Sequence, residues 1–278
     1  MANLPYFDFL FAELSQQNAA IEKSFGRHVH WGYWPDPAKA TGDDEDYGRA
    51  AEALTQELCR LAGINEGDRV LDAGCGFGGT VASLNERFNR LELVGLNIDE
   101  RQLERAGQLA KPLNRNTIEF RHGDACALPF GDASFDRLLA VECIFHFPSR
   151  EAFFKEAHRV LKPGGILALS DFIPKTMMLP FTWLATSRLF DKFNVFGRCD
   201  VQFTISRYRR LAAATGFVPV AECDVTENIL PTYHYLQQIG RRLASQSSSP
   251  ITGTLLRVTE LRAVFRLLSY YLLSFRKA

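Results

Sequence analysis

The segment VLDAGCGFGG, residues 70–79, limits the chain more than any other. An apolar run over residues 69–73 enters it, and a helical pattern over 80–88 leaves it. Glycines at 74, 76, 78 and 79 let the backbone turn sharply and let a ligand meet the main chain with no Cβ in between. The same alternation continues along the chain. Strands are expected at 91–97, 117–121, 135–142 and 166–172. Helices are expected at 47–62, 99–110 and 151–161, with Asp99 in the first turn or N-cap of the second and Lys162-Pro-Gly-Gly165 stopping the third. Continuous apolar strands between helices belong to a parallel sheet covered on both faces.

The flanks are less regular. Residues 5–24 read as one amphipathic helix, followed by the aromatic run HVHWGYW (28–34) and a polar linker over 35–47. Residues 1–47 are therefore expected to form an N-terminal helix and lid, and 48–278 the main domain. After the fifth strand, residues 173–205 are rich in Phe and Met and broken by Pro174 and Pro180. They read as a cap inserted over the sheet's carboxyl edge. A helix at 206–215, a strand at 217–225, a helical insertion over 228–262 with a polar break, and a last strand at 267–275 complete the chain.

Composition excludes several classes. Lys and Arg number 32, as do Asp and Glu, so the formal net charge is +0. A nucleic-acid binder carries a basic surplus, and none is present. The cysteines at 59, 75, 126, 143, 199 and 223 form no C-x-x-C pair and no framework, and read as reduced thiols of a cytoplasmic protein. The first residues lack a basic n-region and are not expected to be a signal peptide. No apolar run reaches the roughly 18 residues of a membrane span, so no stable membrane insertion is expected.

The spacing Gly74-x-Gly76-x-x-Gly79 also satisfies the dinucleotide fingerprint, which by itself is weak evidence. A nicotinamide dehydrogenase wants an acid at the end of the second strand for the ribose. This chain has Asn97 there, which can donate and accept to a ribose diol. Asp72, two residues before the first glycine, is placed to face an ammonium group. A tight turn with no ligand is the plain alternative.

Four motifs in order, VLDAGCGFGG, GLNIDERQLERA (95–106), GDACALPFGDASFD (123–136) and RVLKPGGILALSD (159–171), resemble the class I S-adenosylmethionine methyltransferases. Within that class they resemble the branch acting on natural products, sterols, tocopherols and quinones. The resemblance covers residues 28–172 well and implies a doubly wound, mostly parallel, seven-stranded Rossmann-like sheet. It also implies that Asp72, Gly74 and Gly76 hold the methionine portion of S-adenosylmethionine. Asn97, Ile98 and Gln102 would meet the ribose and one adenine face. Asp124 would accept from the adenine amino group, beside the backbone of Ala125. The run HVHWGYW is similar to that branch's lid sequence, so Tyr33 and Trp34 would close over the cofactor.

Methyl transfer to a hydroxyl needs a group to take the proton, and histidine suits neutral pH. His146 lies just beyond the fourth strand. With strand order reversing between the first and fourth strands, Asp72, Glu142 and His146 converge on one crevice. Asp171, ending the fifth strand, is expected to orient His146, as in relatives acting on sugar hydroxyls. Glu142 would bind the cofactor or serve as a base in carbon methylation. The plain alternatives are a capping or structural His146 and a structural Asp171. His28 and His30 form an H-x-H pair with no third ligand, so no metal site is expected. Phe172, Met177, Met178, Phe181, Trp183, Phe190, Phe193 and Phe196 would line a pocket for a hydrophobic small-molecule acceptor, pack the cap, or form a homodimer face. Arg188, Lys192, Arg198 and Arg207 lie near them and read as solvated surface or as contacts to an acceptor's phosphate or carboxylate. The expected reaction is O-methylation. The alternatives are carbon methylation of an indole, quinone or prenyl acceptor, and a methyltransferase-like protein that binds the cofactor without turnover.

Overall fold

The structure is a computed structural model that describes residues 4–175, 200, 202–244 and 268–278. The N-terminal segment contributes α1 (Pro5–Ser15) and α2 (Ala19–Phe25). Then come α3 (Asp44–Ala62), β1 (Arg69–Ala73), α4 (Gly79–Arg87), β2 (Glu92–Asn97), α5 (Glu100–Leu109), β3 (Thr117–His122) and β4 (Phe135–Ala140). These are followed by α6 (Arg150–Val160), β5 (Leu161–Pro174), α7 (Ile205–Ala214), β6 (Phe217–Asp224), α8 (Thr226–Ile229), α9 (Pro231–Ala244) and β7 (Leu268–Lys277). The cap expected at 173–205 and the later part of the 228–262 insertion fall largely outside the described residues. So do Met177, Met178, Phe181, Trp183, Arg188, Phe190, Lys192, Phe193, Phe196 and Arg198.

The seven strands form one sheet in the order β3-β2-β1-β4-β5-β7-β6. β1 pairs in parallel with both β2 and β4, and β4 with β5. The last strand is antiparallel to both its neighbours, β5 and β6. Successive strand residues point to opposite faces. Val70, Leu139 and Ala168 pack with α3, α4 and α9, while Leu71, Leu138 and Leu167 pack with α6 and α7. This two-sided burial accounts for the unbroken apolar strands seen in the sequence.

Several boundaries differ from expectation, β4 ending at Ala140 and α3 starting at Asp44 among them, and two differences change the layout. Residues 5–24 make two helices because Gln17 adopts φ 56° and the Asn18 side chain caps α2, accepting from the amides of Ala20 and Ile21 at 3.1 and 3.4 Å. The fifth strand is longer than expected at both ends: it starts at Leu161, which pairs with Phe135 of β4, and runs to Pro174, because β7 pairs along it as far as Leu268. Asp99 does cap α5, accepting from the Arg101 amide at 3.0 Å.

The N-terminal segment is docked by backbone as well as by rings. The Tyr33 amide donates to Ala50 O at 2.8 Å, and the Trp34 amide to Asn228 O at 2.9 Å. The Trp34 indole donates to Asp46 at 3.0 Å. α2 lies so close to α3 that a Cβ on Gly48 would sit 2.6 Å from Lys23 O. Gly48→Ala should therefore push the two helices apart and cost about 1–3 kcal/mol. A thermal melt followed by circular dichroism checks this; an unchanged midpoint would mean that the helices are not in this contact in solution.

Candidate active site

β1 and β4 are neighbours whose chains leave the sheet in different directions, β1 into the glycine loop and α4, β4 into the turn before α6. The gap between them opens into a crevice of about 1370 Å³ at the carboxyl edge. Ten of the sequence candidates line it: Asp72, Gly74, Gly76, Asn97, Ile98, Gln102, Asp124, Ala125, Glu142 and His146.

The glycine loop is pinned to β2, since the amides of Gly74 and Cys75 both donate to Leu96 O, at 2.8 and 3.0 Å. Gly74 and Gly76 have φ of 84° and 53°, which L side chains rarely adopt. Their roles differ. A Cβ on Gly74 would strike Cys143 at 2.8 Å, so this glycine serves close packing of β1 against the turn after β4. A Cβ on Gly76 would meet nothing nearer than Gln102 Oε1 at 3.9 Å, so here backbone lies bare along the crevice.

Asp72 is 2% exposed, and among the described residues neither carboxylate oxygen has a hydrogen-bond partner. An orphaned buried carboxylate is costly. Burial pushes its pKa up to about 7. This is what a site for a ligand ammonium requires: an acceptor pair held dry, with its bonds left to the ligand. Asn97 and Gln102 are paired, Asn97 Nδ2 donating to Gln102 Oε1 at 2.7 Å. Asn97 Oδ1 in turn accepts from the Ile98 amide at 3.0 Å. Asp124 stands exposed at the rim, one oxygen accepting from the Cys126 amide at 2.8 Å. His122, which carried no sequence signal, also lines the crevice and donates to Ile98 O at 3.1 Å.

Glu142 sits at the turn after β4 with φ 47°, a strained conformation for a non-glycine residue. Its Oε1 accepts from the Trp31 amide at 2.9 Å and from the Tyr270 hydroxyl at 2.5 Å. Burial raises its pKa to about 8 despite these two bonds. His146 ends a short 3-10 turn, Ile144–His146, and its ring lies near-parallel to that of Tyr6, with centroids 6.5 Å apart.

Three candidates, Tyr33, Trp34 and Asp171, are placed elsewhere. Tyr33 does not line the crevice: the aromatic run is bound along α3 and α9, and Trp34 is buried beside Asp46 and Tyr47. The part of this segment that faces the crevice is Arg27–His30, together with Tyr6, Phe7 and Asp8 of α1. Among the described elements, α1 is the one that lies along the mouth. Phe7 and Phe11 pack edge-on to Phe77 of the glycine loop, at 5.5 and 5.3 Å, and Asp8 pairs with Arg101 of α5 at 2.8 Å. Asp171 does not meet His146 either. Its carboxylate accepts from Arg150, from the Tyr208 hydroxyl and from the Phe172 amide. A fully buried carboxylate takes the nearest cation, and that cation is a guanidinium on α6.

The H-x-H pair belongs to a hydrogen-bonded core. His28 Nε2 meets Glu52 at 2.8 Å, and His30 lies 3.0 Å from Thr55 Oγ1 and donates Nδ1–H to Trp31 O at 2.9 Å. Burial drives the His30 pKa down to about 3, so its ring is neutral. No helix among the described residues is long and apolar enough to cross a membrane.

A family model described as a methyltransferase domain matches residues 71–169. The chain is 31% identical over 226 residues to the methyltransferase GfsG of Streptomyces halstedii, covering 78% of this chain and 75% of that one. It is 34% identical over 212 residues to the erythromycin 3''-O-methyltransferase of Saccharopolyspora erythraea, covering 74% of this chain and 66% of that one. Among solved structures, the cyclase SpnF superposes with a TM-score of 0.75 at 22% identity, over 95% of this chain and 93% of that one, a likeness of fold. With the glycine loop and the unpartnered Asp72 at the sheet's reversal, these matches show that the chain belongs to the class I S-adenosylmethionine-dependent methyltransferases that act on small molecules.

Proposed function

We propose that this enzyme methylates a hydroxyl group of a hydrophobic natural product and that His146 takes the hydroxyl proton. The observation that carries the reading is the placement of His146: it shares one crevice with the orphaned Asp72, and the rings of Tyr6 and Phe145 lie beside it. S-adenosylmethionine supplies, when bound, a methyl carbon already activated on a sulfonium. What remains for the chain is to hold both molecules in line and exclude water. Asp72 takes the ammonium group. Asn97 and Gln102 meet the ribose, Ile98 covers one adenine face, and Asp124 with the Ala125 backbone receives the adenine edge. The aromatic rings beside His146 favour an apolar acceptor. The 34% identity to an O-methyltransferase supports oxygen as the atom methylated.

Incubation with isotope-labelled S-adenosylmethionine and a host metabolite extract, followed by mass spectrometry, tests the reading. Label should appear as an O-methyl group on an apolar product. Label on carbon, or no transfer at all, would sink it. His146→Ala should lower turnover about 10²–10⁴-fold. Wild-type turnover in that variant would assign proton removal to another group.

Asp72→Asn should weaken S-adenosylhomocysteine by about 1–3 kcal/mol, read by titration calorimetry. The raised pKa of Asp72 gives this a pH signature. Below about 7 the free site holds a proton that an incoming ammonium must displace. Affinity should therefore fall as pH drops through that value, by up to about tenfold per unit. In Asp72→Asn the slope should flatten. A wild-type affinity that does not change between about pH 8 and about pH 6 would remove Asp72 from the ammonium site.

A further inference from the structure

We infer that Arg150 is the positioning residue for the acceptor side of the crevice, clamping the turn that carries His146 through Asp171 and Asp200. The inference rests on the role proposed above for His146.

Arg150 opens α6, four residues after His146, and its side chain is 2% exposed. Its donors reach three separate segments. Nη2 donates to Asp171 Oδ2 at the end of β5 at 2.8 Å, and Nε reaches the same oxygen at 3.3 Å. Nε also lies 3.0 Å from the Tyr208 hydroxyl of α7. Nη1 donates to Asp200 Oδ2 and Nη2 to Asp200 O, both at 2.7 Å. Asp200 then passes the constraint on: its amide donates to Phe145 O at 2.9 Å, inside the turn that ends at His146. The turn is held from its other end by the Glu142 amide, which donates to Ser170 Oγ at 2.9 Å.

A buried ion pair is a poor device for stability alone. Desolvation cancels much of its attraction, and apolar residues of similar volume often serve as well or better. What a guanidinium adds is a rigid planar fork with fixed directions, which no apolar side chain and no lysine reproduces. Here the fork points at three chain segments at once, and one of them fixes the turn bearing His146.

The test compares Arg150→Lys and Asp200→Ala with wild type. Because the Asp200 side chain is 49% exposed, its truncation leaves the Arg150–Asp171 pair in place and decides the matter if the lysine variant does not fold. The His146 ring resonance, assigned by its loss in His146→Ala, should move in both variants while those of His122 and His234 stay put. Affinity for S-adenosylhomocysteine should hold. Turnover of labelled donor with metabolite extract should fall about 10- to 100-fold, and neither change should lower it further in a His146→Ala background. An unmoved His146 resonance, or losses that add to those of His146→Ala, would overturn the inference. Full turnover in His146→Ala would instead sink the base assignment, and the resonance would still decide whether Arg150 positions the turn.

Discussion

Everything at the site follows from two adjacent parallel strands parting company. β1 and β4 are in register through Asp72 and Leu139, then leave the sheet on diverging paths. Among the described residues no backbone fills the gap they leave, and both strands end there in backbone that ordinary residues resist: glycines at positive φ after β1, Glu142 at φ 47° after β4. The sheet supplies rigidity, and the two strained turns present polar groups into the gap.

The gap is open, but the two acids at its base are buried, and their burial sets its electrostatics. Asp72 and Glu142 both have raised pKa values because burial disfavours their charge. They are treated differently. Glu142 is held by two donors from distant parts of the chain, whereas Asp72 has none among the described residues. The first carboxylate is bonded into the fold; the second is left for something that is not part of it. Asp171, the third buried acid nearby, is also pushed up by burial, and the Arg150 guanidinium is the charge set against that burial.

The sequence is most informative where geometry is local. The glycine loop, the strand–helix alternation and the Asp99 cap are each set by residues within a few positions of one another, and they read directly. The cofactor side of the crevice follows, because those residues end strands whose order the motifs imply. Reading is poorest where a side chain's partner lies far along the chain. In the run HVHWGYW, which rings turn inward depends on Ala50, Asp46 and Asn228. The partner of Asp171 is a guanidinium 21 residues away whose own surroundings include Tyr208. The division of residues 5–24 was printed in Asn18, a good capping residue, but apolar residues continuing through Ile21 and Phe25 obscured it.

The bond from the Trp31 amide to Glu142 joins the N-terminal segment to the wall of the crevice through one titratable group. Two processes that share a proton-bearing acceptor are thermodynamically linked, and linkage runs equally in both directions. Whatever favours the anionic form of that acid tightens the seating of the first thirty residues. Loosening those residues must return the same free energy to the other side of the balance. The amino terminus is thus part of the energetics of the reaction chamber, although the sequence carries the two more than a hundred positions apart.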